Sequence, residues 1–341
     1  MAHDGNQPQP TDGMPDGIGG GLGVLKRYRR PLYGFTLQVS ALTAVVGCAI
    51  LGGAFAAAWD TFEGVREYAD RNIANEDSYV AYADDAMPEL ARVFFMTLPL
   101  LLVLALLVVS VLHAAYAVAD AHATRDGGPL TVRELWRRTR RRIPAAVAVN
   151  ALIGLALVAA VVAGLELWRS VENEKVPGVE PTPLGETATP LYTLVGWVLP
   201  IAVMCLGPLL YFRLSLATAE TVLERRNPFA ALHRSWVLTR RARLRTVGTG
   251  VLVTVAALLV FWLSLYVAVP LNHFAGLGML GISDDNVWIT GVLMKILPTA
   301  VALLLLPPVV MPLVCSTFAR LHGELGAEDG RIAADRPSVC P

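Results

Sequence analysis

Charged residues are swept out of six long stretches of this chain and collected in the segments between them. The uncharged stretches run from Leu32 to Trp59, Val93 to Ala119, Ile143 to Leu165, Thr187 to Phe212 (with a polar-flecked continuation to Ala219), within Thr246 to Leu271, and within Ile296 to Phe318. Crossing about 30 Å of hydrocarbon takes roughly 20 helical residues, and each stretch is long enough. Backbone groups in lipid must bond within their own segment, so the pattern predicts six transmembrane helices. The first stretch is about twice the length of a signal-peptide core. Despite the small-residue site Ala54-Phe55-Ala56 and the pair Arg29-Arg30, it reads as a span and not as a cleaved leader.

The polar segments differ sharply from one another. Lys26, Arg27, Arg29 and Arg30 precede the first span. Arg125, Arg133, Arg137, Arg138, Arg140, Arg141 and Arg142 separate spans two and three, and Arg225, Arg226, Arg234, Arg240, Arg241, Arg243 and Arg245 separate spans four and five. The alternate loops carry only Arg66, Arg71, Arg92, Arg169 and Lys175, with none between Asn272 and Trp288. Positive charge beside span ends stays inside, so both termini are expected in the cytoplasm of a multi-pass cell-membrane protein.

Composition supports this reading. The 341 residues are 55% hydrophobic and only 16% charged, against about a quarter charged in soluble domains. Formal net charge is zero, and nothing points to a nucleic-acid partner. Residues 1–30 form a Gly/Pro-rich tail with too little apolar surface to order itself, and residues 326–341 a second, short cytoplasmic tail. The Gly17–Gly23 cluster misses the GxGxxG spacing, and no strand precedes it. Cys48, Cys205 and Cys315 lie in apolar runs and Cys340 sits by the end, so the cysteines read as small buried hydrophobes with no disulfide framework.

The two basic loops align when the chain is shifted by 100 residues. Trp136 falls on Trp236, Thr139 on Thr239, Arg140 on Arg240 and Arg141 on Arg241; Arg125 falls on Arg225, Asp120 on Glu220 and Ala119 on Ala219. Spans two, four and six end near Ala119, Ala219 and Ala319. The domain at residues 31–325 is therefore expected to be three parallel hairpins on one plan, the third without a basic segment.

Each basic segment also predicts an amphipathic helix lying on the membrane surface. Thr131-Val-Arg-Glu134 is a capping box, after which Val132, Leu135, Trp136, Thr139 and Ile143 share a face. In the second, Asn227 caps and Pro228 takes the first helical position; Phe229, Leu232 and Trp236 form the stripe. Tryptophan beside arginine suits the headgroup level, where the ring buries and the guanidinium meets phosphate.

The stretch from Ala219 to Arg240 (AETVLERRNPFAALHRSWVLTR) resembles the segment after the fourth span in membrane domains of the glycerophosphoryl diester phosphodiesterase membrane-domain type, which occur as six-span actinobacterial proteins. The motif rests on Glu220, Pro228, Ala231, Arg234, Ser235 and Trp236, while the looser likeness covers roughly residues 30–325. The resemblance implies a helical membrane domain and does not imply phosphodiesterase activity, since the catalytic part of such enzymes is a separate barrel of roughly 250 residues.

Catalytic signatures are absent: there is no HExxH, P-loop, GxSxG or CxxC. The histidines fall in different segments without ligand spacing, and no cofactor or metal is expected. Asn150 and Gln38 read as helix–helix hydrogen bonders, Lys295 as a snorkelling residue where span six begins, and Arg213 as reaching inner headgroups. Pro200 and Pro208 interrupt span four, and Pro298, Pro307, Pro308 and Pro312 interrupt span six. Ser40, Ala44, Cys48, Gly52 and Ala56 make a small-residue stripe suited to helix packing, internally or in a homo-oligomer. The acidic segment from Asp60 to Glu89 is expected to be a partly helical outer loop.

The resulting expectation is an all-α polytopic bundle of six transmembrane helices, as three hairpins with two cytoplasmic interfacial helices. Its role is read as non-enzymatic: a scaffold, accessory or lipid-interacting domain that engages anionic headgroups or a membrane partner. Trp136, Arg140, Arg141, Arg225, Pro228, Arg234, Ser235, Trp236 and Arg240 are the candidate contacts. A transporter or channel subunit is the alternative, carried by the broken fourth and sixth spans.

Overall fold

Each apolar run folds as a helix because hydrocarbon offers backbone N–H and C=O groups no partner but one another. The computed structural model describes residues 23–74, 87–125, 128–179, 189–224, 227–241 and 243–334. Its helices are α1 (Arg29–Ala57), α2 (Trp59–Ala74), α3 (Met87–Arg125), α4 (Val132–Arg140) and α5 (Ile143–Glu172). There follow α6 (Pro190–Tyr192), a π-turn over Thr193–Val198, α7 (Leu199–Leu214), α8 (Ala217–Glu224) and α9 (Pro228–Arg241). The last three are α10 (Arg243–Ile282), α11 (Val287–Val309) and α12 (Met311–Ala334). No strand occurs among the described residues.

Among the described residues six segments are long and apolar enough to cross a membrane: Arg29–Ala57, Phe95–Thr124, Ile143–Glu172, Pro190–Glu224, Thr246–Ile282 and Val287–Val309. They pack as three hairpins, α1 on α3, α5 on α7 and α10 on α11. The chain is thus an all-α polytopic bundle. Many large apolar side chains face outward, among them Phe95, Met96 and Val103 on α3 and Leu259, Trp262 and Leu263 on α10. Water would penalise such a belt, whereas lipid does not.

The second half of α3 is the hub. Helices α1, α4, α5, α8 and α12 all pack on it, and Leu112 through Ala117, Ala119, Asp120 and His122 are buried. Alanine at 114, 115, 117 and 119 lets neighbouring backbones approach from every side. Polar ties fix their register: Thr36 Oγ1 and the Tyr116 hydroxyl lie 3.1 Å apart. Asn150 Nδ2 donates to Ser110 Oγ and Thr218 Oγ1 donates to Asn150 Oδ1, each at 3.1 Å. Asn150 is therefore the helix–helix linker expected of it, while Gln38 is exposed.

At the opposite face, Asn286 donates to the Phe62 carbonyl at 3.2 Å and Arg66 to the Asp284 carbonyl at 2.6 Å, joining α2 to the α10–α11 turn. That turn is tighter than expected. The helix continues through Pro270 to Ile282, because the uncharged residues after Leu271 can remain in lipid. Asp284 and Asp285 then reverse the chain at φ 51° and 62°, a left-handed conformation that aspartate tolerates. The Asn286 side chain caps α11.

The remaining differences from the expected layout are local. Residues 23–27 are already helical, and α12 runs past 325 to Ala334; residues 1–22 and 335–341 lie outside the described residues. The helical part of the acidic loop is α2, while 75–86 lie outside them. The small-residue stripe of α1 turns outward at Cys48, Gly52 and Ala56, and of the described cysteines only Cys315 is buried. Lys295, exposed, lies eight residues inside α11, about 12 Å along it. Only some of the prolines interrupt their spans as expected, and the helices run on through Pro208 and Pro298. The π-turn ends just before Pro200, whose missing N–H frees a carbonyl one turn back, and span six breaks at Val310 between Pro308 and Pro312.

Candidate functional site on the arginine-rich face

Both basic segments fold at the same end of the bundle, against the last turns of the even-numbered spans. Helix α4 starts where the capping box predicts, with Thr131 Oγ1 accepting from the Glu134 N–H at 3.2 Å. The Glu134 carboxylate is taken by arginines: Arg137 Nη2 and Arg138 Nε each lie 2.7 Å from it. Its hydrogen bond from Arg138, aided by Arg137, holds this carboxyl below the usual carboxylate range, so it is charged at neutral pH. Leu135 and Thr139 bury fully, and the Trp136 ring meets Phe35 with centroids 5.9 Å apart.

Between α3, α4, the start of α5 and α8 this packing leaves a cleft of about 910 Å³. One wall carries Arg137, Arg138, Arg141 and Arg142 with Glu134, and His122 rises from α3. Val118, Ala121, Val222 and Leu223 supply its apolar lining. Arg138 Nη1 donates to His122 Nδ1 at 3.2 Å, anchoring the wall to the hub. Four guanidinium groups and one carboxylate line it.

The second basic segment is organised differently. Asn227 Oδ1 caps α9 by accepting from the Phe229 N–H at 3.2 Å. Its buried face is Ala231, Ser235, Leu238 and Thr239, while Phe229 and Trp236 turn outward. Of the expected stripe, Phe229 and Trp236 are thus on the exposed side, while Leu232 is half-buried against the cluster around Ala217 and Ala231. Ser235 Oγ and Thr239 Oγ1 both donate to the Arg213 carbonyl, at 2.8 and 3.2 Å. The Arg213 guanidinium lies 4.4 Å from the Trp236 ring centre, a cation–π contact in place of the expected reach to headgroups.

Arg234 leans inward. Its Nε is 3.8 Å from Oε1 of Glu220, a carboxylate only 1% exposed on α8. His322 Nε2 from α12 is 3.3 Å from the same oxygen. This knot joins the fourth span, the second surface helix and the last helix. Donor atoms of Glu220, Glu224 and His322 fall within 4.8 Å of one another, a spacing that suits a metal. Arg234, however, already brings positive charge to Glu220, so the cluster reads as an ion-paired joint.

The sequence-predicted contacts thus separate into groups. Trp136, Arg140, Arg141, Trp236 and Arg240 are exposed on the basic face, as a surface role requires. Pro228 is half-buried at the start of α9, and Arg225 lies outside the described residues. Ser235 is fully buried on the Arg213 carbonyl, and Arg234, half-buried, is turned to Glu220. Sequence reasoning missed the Glu220–Arg234–His322 cluster and the cleft residues His122, Glu134, Arg137, Arg138 and Arg142 as a constellation. A signal existed: His122 and His322 occupy the same position of the 100-residue register, two residues beyond Asp120 and Arg320.

Fold and site together define a multi-pass integral membrane protein with an arginine-walled cleft on one face. Among known proteins, no family model, no curated sequence and no solved structure matches the chain.

Proposed function

We propose that this protein is a non-enzymatic, lipid-interacting domain of the cell membrane. In this reading the arginine-rich face and both termini are cytoplasmic, and α4 and α9 rest on anionic headgroups. One observation carries it: Trp136 and Trp236, 45% and 38% exposed, stand at equivalent repeat positions on one face of the bundle, each followed by an exposed arginine, Arg140 or Arg240. Amphipathic rings beside cations at span ends match the headgroup zone. A scaffold or accessory role, motivated by the same repeated Arg/Trp segments, fits this surface.

The test is lipid enrichment. Native protein should co-purify with more anionic than zwitterionic lipid relative to the surrounding membrane. Replacing Arg140, Trp236 and Arg240 together by alanine should abolish the bias, and an unchanged bias would defeat the reading. Labelling of a cysteine placed at Arg240 should proceed only after the inner face is opened.

A solute transporter is the second reading, supported by the π-turn at Thr193–Val198 and the break at Val310. Irregular backbone at membrane depth frees carbonyls that can line a path. Solute uptake by proteoliposomes, abolished by Pro308→Ala, would favour it; no flux across a broad panel would exclude it.

A further inference from the structure

We infer that Glu220, Glu224 and His322 form a binding site for one divalent transition-metal ion, zinc being the ion their donors suit best. The ion staples α8, at the end of the fourth span, to α12. Its role is structural and independent of the lipid contact proposed above.

Glu220 and Glu224 stand one helical turn apart on α8, so their carboxylates leave the same face. His322 comes from the face of α12 that also carries Phe318, Leu321 and Leu325, which form an apolar cluster with Leu216. Ligand atoms of the three residues all lie within 4.8 Å of one another. Oxygen and imidazole ligands sit about 2.1 Å from zinc, so two of them on one ion are up to about 4 Å apart. Side-chain movement of less than about 1 Å therefore closes the set. Imidazole beside two carboxylates favours zinc and its transition-metal neighbours over magnesium and calcium, which take oxygen shells.

The imidazole points the same way. His322 is only 6% exposed, yet among the described residues neither of its ring nitrogens has a hydrogen-bond partner. Nε2 lies 3.3 Å from Glu220 Oε1 without hydrogen-bond geometry. Buried polar side chains are rarely left so, and a nitrogen at this spacing from two carboxylates is placed as a metal ligand. His122, at the same position of the 100-residue register, instead accepts from Arg138 at 3.2 Å. The first repeat has Thr124 where the second has Glu224, so it forms no equivalent set. The ion pair with Arg234 leaves the imidazole unexplained and is compatible with the metal. Arg234 Nε approaches Oε1 only to 3.8 Å, beyond hydrogen-bond length, and a carboxylate offers about four lone-pair sites.

The experiment uses the full chain in detergent, stripped of metal by a chelator that is then dialysed away. Zinc chloride is titrated by calorimetry, and cobalt chloride is followed by its visible ligand-field absorption. One ion per chain is expected, and the unfolding midpoint should climb with zinc concentration. Glu224→Gln, at an exposed position, should weaken zinc binding roughly tenfold or more, and His322→Gln should do the same. Glu220 is kept, because its loss is expected to loosen the fold with or without metal. With cobalt, His322→Cys should add a thiolate-to-metal charge-transfer band, which only direct ligation by that residue produces. His273→Gln, an exposed histidine near the far end of α10, is the control and should bind as the native chain does. Binding of neither ion, or native-strength binding by both glutamine variants of the site, overturns the proposal. An equal loss in His273→Gln marks surface adsorption and overturns it too.

Discussion

Helices α4 and α9 occupy the same position in successive repeats, yet one opens its charge to solvent and the other draws it inside. The contrast turns on position 34 of each repeat, where Glu134 stands in the first and Arg234 in the second. Glu134 is half exposed and pairs with arginines on its own helix. Arg234 instead crosses to Glu220 on another element, and His322 closes the pair from a third. One position along, Leu135 and Ser235 are both fully buried, but Ser235 is spent on the Arg213 carbonyl. A shared backbone plan therefore leaves the destination of charge to a few side chains. The first repeat presents a cationic cleft, and the second is a joint.

The sharpest way to break this contrast is to remove the buried carboxylate. Glu220→Ala takes this carboxylate from Arg234 and His322, and breaking a buried ion pair costs about 3 kcal/mol. The unfolding midpoint in detergent should fall sharply, whereas Glu134→Gln, at a solvent-facing pair, should barely move it. A comparable drop in both would erase the distinction. Giving the second repeat the first's residue, Ser235→Leu, should be next. Overpacking a fully buried site costs about 2 kcal/mol, and the same melt should show it, with the Trp236 emission shifting as α9 is displaced.

Smaller effects sharpen the account of α4. Thr131→Ala removes the side chain that accepts from Glu134 N–H, a loss of about 1 kcal/mol. Amide exchange should quicken over 132–140 and leave α9 unchanged. The smallest effect is on pH. The Glu134 carboxyl is lowered by Arg138 and Arg137, so its contribution is whole above the ordinary carboxylate range and is lost as pH falls through its lowered value. Acidification should loosen α4 in exchange measurements, and Glu134→Gln should remove that pH dependence. A response that persists in the variant would place its origin elsewhere.

Much of this was legible without coordinates. The spans, the hairpin plan, the Thr131 and Asn227 caps and the exposed Trp136 and Trp236 follow from runs, periods and short-range motifs. The fifth span was read short because Pro270 and the glycines after it mimic a loop, and the sixth, Val287–Val309, was in consequence placed too late, within Ile296 to Phe318. In lipid, an uncharged segment keeps its backbone bonds internal and stays helical. For α9, periodicity finds a greasy face without saying whether protein or bilayer covers it.

What the sequence determined by itself is what depends on neighbours along the chain: hydropathy over about 20 residues, capping over three, charge beside a span end. Only the tertiary structure decided which polar groups meet. His322 reaches Glu220 across about a hundred residues, and the arginines of α4 converge with His122 because α3 is slender enough there to be surrounded. Such meetings depend on distances set by alanine-lined packing of helices remote in sequence, and no local pattern encodes them.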